Sequence, residues 1–329
     1  MTTLGWGILG PGRIAPRIVR AVADCPRAEL VAVGSRDGAR AAAFAEAHGI
    51  PGAFGSYDAL LAAPDVDVVY IALPNHLHAE WTVRALQAGK HVLCEKPLAL
   101  TVDEVDAIAT AADRAGRIAV EAFMYLHHLQ ILRAIDFARG GALGRLELIT
   151  GAFSFFLTQP EDPRIDPTMG GGSLWDVGCY PVSFARRVAG EEPDGVGAFA
   201  RFDERGVDRT FIGQLHFPSG LLALFDSGFA APDRQRIEIV GGDATLVLAC
   251  PFLTAPDGPP PSLTVWRGGE ATRVAVPSMD QYGAEVEDLT AAILDGVMPR
   301  VDLAFSRGSI AALVRLDRAA RVNAGLLSG

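Results

Sequence analysis

Leu4-Gly5-Trp6-Gly7-Ile8-Leu9 is a short apolar run that breaks at Gly10-Pro11-Gly12-Arg13-Ile14-Ala15 and gives way at once to a helical pattern reaching Ala23. Strand, glycine turn and helix form the context that makes a Gly-x-Gly-x-x-Gly/Ala pattern meaningful. Gly10 permits the tight turn, Gly12 lets backbone N–H groups approach a pyrophosphate, and Ala15 keeps the helix close to the sheet. The helix then turns its positive end toward the anion. A chain that opens this way is committed to strand–helix alternation, and the pattern continues. Glu29 to Gly34 reads as a second strand, Ala39 to His48 as a helix stopped by Gly49, and Ser56 to Leu61 as the start of another. Val66 to Leu73 is a near-continuous apolar run, as expected of a parallel strand covered on both faces. A helix from Ala79 to Ala88 leads into the strand His91 to Cys94, and Ile118 to Glu121 completes the set. The expectation is a doubly wound parallel sheet.

At 329 residues the chain is long enough for roughly two domains. With 50% hydrophobic and 21% charged residues it has an ordinary globular composition. A net charge of −10 without any long basic run argues against nucleic acid as a partner. No stretch of ~20 apolar residues suggests a membrane span, and the first residues lack a basic leader with a small-residue cleavage site. Cys25, Cys94, Cys179 and Cys250 lie far apart, three of them in apolar surroundings, as buried thiols in a reducing compartment would. A cytoplasmic protein is expected.

The strand ends carry the chemistry, because ligands of open α/β sheets sit beyond the carboxyl ends of the strands. After the second strand comes Ser35-Arg36-Asp37. A hydroxyl beside a guanidinium suits a 2′-phosphate, which favours NADP over NAD; in the alternative, Asp37 holds the ribose hydroxyls. After the next long strand comes Pro74-Asn75-His76-Leu77-His78; its two histidines have no companion carboxylate or thiol cluster, so no metal is expected. The strand after that ends in Glu95-Lys96-Pro97, where one ammonium and one carboxylate emerge together and the proline turns the chain. The plain alternative is an exposed ion pair of little worth.

Gly10-x-Gly12-x-x-Ala15, Pro74-Asn75-x-x-His78 and Glu95-Lys96-Pro97, in this order and at these separations, resemble the glucose-fructose oxidoreductase / inositol dehydrogenase (Gfo/Idh/MocA) family of NAD(P)-dependent oxidoreductases. The resemblance implies a Rossmann-type dinucleotide-binding domain over 1–122. It implies a substrate-binding and oligomerisation α+β domain over 123–329, built on a large, mostly antiparallel open sheet. It assigns catalysis to Lys96, with a proline after it that is often cis. Cofactor contacts fall on Gly10, Gly12, Arg13, Ile14, Ser35, Arg36, Leu73, Pro74, Asn75, His78, Glu95 and Lys96. A homodimer or homotetramer through the open sheet is implied as well. In the linking segment Ala122 to Leu129, many members of the sugar and dihydrodiol branch carry Arg and Pro where this chain has Leu126 and Leu129. His127 and His128 read either as substrate neighbours or as helix-opening residues.

Thr101-Val102-Asp103-Glu104 has the form of a capping box, and its helix runs to about Ala115, closed by Gly116. Gly144 to Phe156 alternates as a strand does, and a polar, proline-rich loop follows over Thr158 to Thr168. Next come Gly170-Gly171-Gly172-Ser173-Leu174-Trp175-Asp176-Val177-Gly178-Cys179-Tyr180-Pro181. On a regular helix Asp176 and Tyr180, four apart, share one face. By itself the stretch reads as a capped helix packing aromatic groups on a sheet. It resembles the family's second signature, Gly-Gly-Gly-x-x-x-Asp-x-Gly-x-(Tyr/His), in its tyrosine form.

Beyond it, Arg209 to Phe217 with Leu221 to Phe229, and Arg236 to Val240 with Ala244 to Ala249, read as antiparallel pairs. Asp257 to Pro261 reads as an exposed loop, Gln281-x-x-x-Glu285 opens a long helix, and Leu303 to about Ala324 forms the last one.

Oxidising an alcohol requires a proton acceptor as hydride leaves. A tyrosine of pKa ~10 serves poorly unless a cation favours its phenolate. Lys96 supplies that cation and a hydrogen bond to the substrate oxygen, Tyr180 is the acid/base, and Asp176 either holds a sugar hydroxyl or orients the other two. The expected function is an NADP-dependent oxidoreductase (NAD as the lesser choice) transferring hydride between nicotinamide and a hydroxyl/carbonyl carbon of a cyclic polyol, aldose or trans-dihydrodiol. The first alternative is a sugar 3-ketoreductase of a biosynthetic pathway. A non-enzymatic nucleotide-sensing regulator is disfavoured by the intact Lys96, Asp176 and Tyr180. Glycoside cleavage through transient oxidation is disfavoured by Tyr180 and Ser35-Arg36.

Overall fold

The computed structural model describes residues 2–253 and 261–328, so most of the loop read at 257–261 lies outside the described residues. The chain forms two compact units. The first takes the residues up to His127 together with Asp280–Arg307; the second takes His128–Met279 and the residues from Gly308 on. The expected division at 122/123 differs from this grouping mainly because residues 280–307 return to the first unit.

In the first unit, β1 (Leu4–Leu9), β2 (Ala28–Gly34), β3 (Gly52–Phe54), β4 (Val68–Ile71), β5 (His91–Glu95) and β6 (Ala119–Ala122) form a wholly parallel sheet in the order β3-β2-β1-β4-β5-β6. This is the doubly wound Rossmann order. Every residue of β1 and β4 is buried, which explains their unbroken apolar character. The helices α1 (Ala15–Asp24), α2 (Gly38–His48), α3 (Tyr57–Leu61), α4 (His78–Gln87) and α5 (Val102–Ala115) connect successive strands. The box that opens α5 is complete: Glu104 N–H donates to Thr101 Oγ1 at 3.2 Å and Thr101 N–H to Glu104 Oε2 at 3.0 Å. Lys90, just before β5, is a structural lysine whose Nζ donates to the carbonyls of Ala63 and Val66 at 2.8 and 2.7 Å.

In the second unit, α6 (Leu129–Arg139) precedes β7 (Leu146–Phe156), and α7 (Cys179–Ala189) precedes β8 (Gly195–Phe202), β9 (Asp208–His216), β10 (Leu222–Gly228), β11 (Ala230–Gly241), β12 (Thr245–Ala249), β13 (Ser262–Arg267) and β14 (Glu270–Ala275). These strands form one sheet, ordered β14-β13-β12-β11-β7-β10-β9-β8, antiparallel at every pairing except β7 with β10. Strand β11 begins six residues earlier than Arg236. Between Ala230 and Arg234 its pairing with β7 crosses an irregularity in register. The last long helices are α8 (Gln281–Asp295), in the first unit, and α9 (Leu303–Asn323). Among the described residues, no helix is long and apolar enough to cross a membrane.

The run that carries Asp176 departs from a regular helix. Leu174–Gly178 is a π-helical turn, and α-helical geometry starts only at Cys179. Side chains four apart therefore do not stack over this turn as they do in an α-helix. The run is anchored on Asp208 of β9, whose Oδ2 accepts from Ser173 Oγ at 2.6 Å and from Leu174 N–H at 2.9 Å. Gly172, at φ 133°, makes room for this carboxyl: a Cβ there would lie 2.2 Å from Asp208 Oδ1.

Burial pushes the Asp208 carboxyl up to about 7, against the opposing pull of Ser173 and Leu174 and with the Asp317 charge adding to the rise. A carboxyl raised on folding destabilises the fold as pH climbs from its unfolded value to its folded one. Here that window runs from about 3.9 to about 7 and corresponds to on the order of 4 kcal/mol. Asp208→Asn, which keeps an acceptor for both donors, escapes this penalty. Urea titrations from pH 4 to 8 should show the variant gaining on the wild type up to about pH 7 and level above it. A constant difference would refute the buried neutral acid.

Candidate active site

In the first unit the glycine turn is shaped by what crowds it. Gly10 has φ 93°, and a Cβ there would meet Leu73 Cδ2 at 2.6 Å and the Ala72 carbonyl at 3.1 Å. Gly10 N–H donates to the Gly34 carbonyl at 2.9 Å and Gly12 N–H to the Gly10 carbonyl at 2.8 Å, so the ends of β1 and β2 are tied at the turn. Helix α1 follows without any side-chain cap, Ile14 being half-buried at its start and Arg13 exposed beside it. Ala15 N–H donates to the Gly12 carbonyl at 3.2 Å and Arg17 N–H to the Ile14 carbonyl at 2.9 Å, and Pro16 has no N–H, so what this helix start offers an anion is the positive end of its dipole.

At the end of β2, Ser35 is buried and Arg36 exposed. Ser35 Oγ accepts from Asp37 N–H at 3.2 Å. Asp37 caps α2, its Oδ1 accepting from Ala39 N–H at 2.9 Å and Arg40 N–H at 3.2 Å. That commits the only acid at the strand tip to helix capping. Arg40, unmarked by sequence reasoning, reaches back so that its guanidinium donates to the Pro11 carbonyl of the glycine turn at 2.8 Å. A second cation one turn into the helix after Ser35-Arg36 was the available signal.

At the ends of β4 and β5, Leu73, Pro74, Asn75, Glu95 and Lys96 are all half-buried. The Lys96–Pro97 bond is cis. His78 is buried, with Nδ1 2.7 Å from the Pro97 carbonyl and Nε2 2.7 Å from the Leu73 carbonyl. Burial lowers its pKa against the pull of those carbonyls, with the Lys96 and His76 charges adding to the fall. His78 thus lies between the two turns with a carbonyl near each ring nitrogen, and the neutral imidazole donates its one N–H to either of them. Leu98 N–H donates to Glu121 Oε1 of β6 at 2.9 Å on the far side of the proline. Tyr70 of β4 donates its hydroxyl to Glu95 Oε1 at 2.5 Å; a lone hydroxyl in an apolar strand was the only sequence sign of it.

Helix α8 contributes two more titratable groups near Glu95. Glu285 is buried, and burial, followed by the charges of Glu95, Asp288 and Asp280, pushes its carboxyl well above the usual range. Tyr282 is pushed up by burial and then by Glu95 and Glu285, against Arg17. Close by in the linking segment, His127 Nε2 lies 3.4 Å from Asp288 Oδ2. Leu126 is buried beside it in a short 3₁₀ turn, Met124–His127.

In the second unit, His128 takes the helix-opening role, its Nδ1 accepting from Gln130 N–H at 3.1 Å at the start of α6, whose first residue is Leu129. Tyr180 stands in the first turn of α7, its ring 5.3 Å from those of Phe153 and Phe252. Asp176 lies on the π-helical turn, 3.6 Å from a guanidinium nitrogen of Arg164. Arg164, also unforeseen, forks onto Asp162 with two contacts of 2.9 Å. Lys96 and the cofactor candidates thus belong to the first unit, Asp176 and Tyr180 to the second. Among the described residues, no group of three or more His, Cys, Asp or Glu is arranged to hold a metal.

Comparison with known proteins gives the family. The family model described as oxidoreductase family, NAD-binding Rossmann fold (Gfo/Idh/MocA) matches residues 4–123, and the Gfo/Idh/MocA C-terminal domain matches residues 131–247. The chain is 41% identical over 300 residues to D-xylose 1-dehydrogenase (NADP(+)) 2 of Haloferax volcanii, covering 90% of this chain and 91% of that one. It resembles the crystal structure of aldose-aldose oxidoreductase from Caulobacter crescentus at 32% identity and TM-score 0.90, covering 98% of both chains. KijD10, a 3-ketoreductase from Actinomadura kijaniata whose structure holds NADP and TDP-benzene, matches at 31% identity and TM-score 0.91, over 97% of this chain and 98% of that one. A parallel sheet with a glycine cradle, an open antiparallel sheet, and these likenesses along nearly the whole chain make it a member of the Gfo/Idh/MocA family of NAD(P)-dependent oxidoreductases.

Proposed function

We propose that this oxidoreductase uses NADP and moves a hydride to or from a hydroxyl-bearing carbon of an aldose, a cyclic polyol or a trans-dihydrodiol. The observation that carries the cofactor choice is the end of β2, where Ser35, Arg36 and Arg40 surround a strand tip whose one acid is spent on capping α2. Two guanidinium groups and a hydroxyl suit the charge and geometry of a ribose 2′-phosphate. The glycine turn fits the rest of the dinucleotide: the space a Cβ would fill at Gly10 is already taken, and the positive end of the α1 dipole suits the pyrophosphate. Gly12, Arg13 and Ile14 would line that turn, and Leu73, Pro74, Asn75 and Glu95 would continue the binding surface along the strand ends, with His78 bracing it from below. Bound NADP supplies the hydride acceptor or donor.

The remaining chemistry belongs to the chain. Tyr180 takes the proton of the substrate hydroxyl during oxidation and returns it during reduction. The Lys96 ammonium donates to the substrate oxygen and stabilises negative charge on it and on Tyr180. Asp176 accepts a neighbouring hydroxyl and fixes which carbon presents its hydrogen. The likeness to D-xylose 1-dehydrogenase supports aldose oxidation, and the likeness to KijD10 supports, as a second reading, reduction of a ketosugar by the same groups in reverse. Phe199, Ile212, Leu222 and Leu224 share an exposed face of the second sheet, which supports self-association through that face.

Two measurements test this reading. In a tryptophan-quench titration, Arg36→Ala and Arg40→Ala should each weaken NADPH about 10-fold or more and leave NADH within about 3-fold, given ~1.5–3 kcal/mol for a charged hydrogen bond; equal losses for both would refute the 2′-phosphate site. Tyr180→Phe should lower turnover ~10²–10⁴-fold on whichever aldose, polyol, dihydrodiol or ketosugar of a panel the wild type uses, with NADPH binding unchanged. Undiminished turnover would remove Tyr180 from the mechanism.

A further inference from the structure

The loop before the glycine run contains a cation with a defined pair of partners. Arg164 sits on a short 3₁₀ turn, Pro163–Ile165, opened by Asp162. Its Nε and Nη2 each lie 2.9 Å from one oxygen of Asp162, a bidentate fork on a carboxylate that is only 5% exposed. The third nitrogen, Nη1, points instead to Asp176 Oδ2 at 3.6 Å. The guanidinium also lies over the Phe155 ring, 5.2 Å from its centre. Its backbone is tied to the same region: Gly172 N–H donates to the Arg164 carbonyl at 2.9 Å, and a Cβ on Gly171 would collide with that oxygen at 2.7 Å.

The planar guanidinium is therefore fixed from three directions, by the fork, the aromatic face and the main chain. A fixed cation 3.6 Å from one carboxylate oxygen biases the carboxylate's orientation. Asp176 sits on the π-helical turn Leu174–Gly178, so the contact with Arg164 acts on a carboxylate whose backbone departs from regular helix.

We propose that Arg164 is a positioning residue: through Asp176 it sets which hydroxyl of a neutral, polyhydroxylated substrate is held, and so which carbon is oxidised. This rests on the reading of Asp176 as the hydroxyl acceptor. It assigns Arg164 no contact with the cofactor and no part in proton transfer.

The test is a double-mutant cycle of Arg164→Met and Asp176→Asn, with Arg164→Lys as the conservative variant. Thermal unfolding and NADPH titration accompany it, using the best aldose or polyol found for the wild type. Expected results are a KM raised about 10-fold or more by Arg164→Met with kcat changed less than about 3-fold, partial recovery in Arg164→Lys, unchanged NADPH binding, and no further rise when Arg164→Met is added to Asp176→Asn. Independent, multiplying effects of the two substitutions would overturn the proposal and leave Asp176's role standing. A fall in kcat at constant KM in Arg164→Met would also overturn it. An unchanged KM in Asp176→Asn alone would instead refute the reading on which it rests. If Arg164→Met proves too unstable to assay, Arg164→Lys decides: a KM equal to the wild type's, with the fork lost, would refute positioning by the guanidinium.

Discussion

The peptide between Pro97 and Leu98, just beyond Lys96, is held at both of its polar groups, the Leu98 N–H and the Pro97 carbonyl. One donates to Glu121 of β6, and the other is met by His78 at the start of α4. Both braces are buried, so the bonds compete with little water and their loss would strand a polar group in the interior. His78 adds a second contact, to the Leu73 carbonyl after β4. One imidazole thereby couples two adjacent strand ends, and the glycine turn leans on the same place through Leu73. The parallel sheet supplies the platform, and these few buried bonds convert its edge into a defined surface.

The supports share an electrostatic pattern. Glu285 and Asp208 are carboxyls driven toward their neutral forms chiefly by burial. Neither is among the residues proposed to meet the substrate. Each stands behind one that is, Glu285 near Glu95 and its neighbour Lys96, and Asp208 under the run that carries Asp176. A buried neutral acid adds no charge to the field at the reacting groups and still offers hydrogen-bonding atoms to the backbone around it.

Much of this was legible in the chain because its signals are local. The capping box at Thr101 and Glu104, the glycine turn after β1, the proline after Lys96 and the apolar parallel strands are each written within a few residues, and each formed as read. The hidden features depend on reach. Arg40 bonds a carbonyl 29 positions away, and Arg164 lies next to an aspartate beyond a glycine run; nothing in the local pattern reports where a long flexible side chain ends. The π-helical turn at Leu174–Gly178 was likewise invisible, since its residues read as ordinary helix and Asp208, which anchors its start, comes from a later strand. The early start of β11, at Ala230 where the sequence pattern begins the strand only at Arg236, lies beside β7, a neighbour far away in the chain.

The return of Asp280–Arg307 to the first unit gives that unit a history as well as a shape. During synthesis its six parallel strands emerge early, but α8 follows only after the whole second sheet has been made. Tyr70 and Glu95 are therefore made long before Tyr282 and Glu285, whose charges bear on them. The electrostatic surroundings of the Glu95 corner are thus completed by a segment whose place in the chain lies far beyond the six parallel strands.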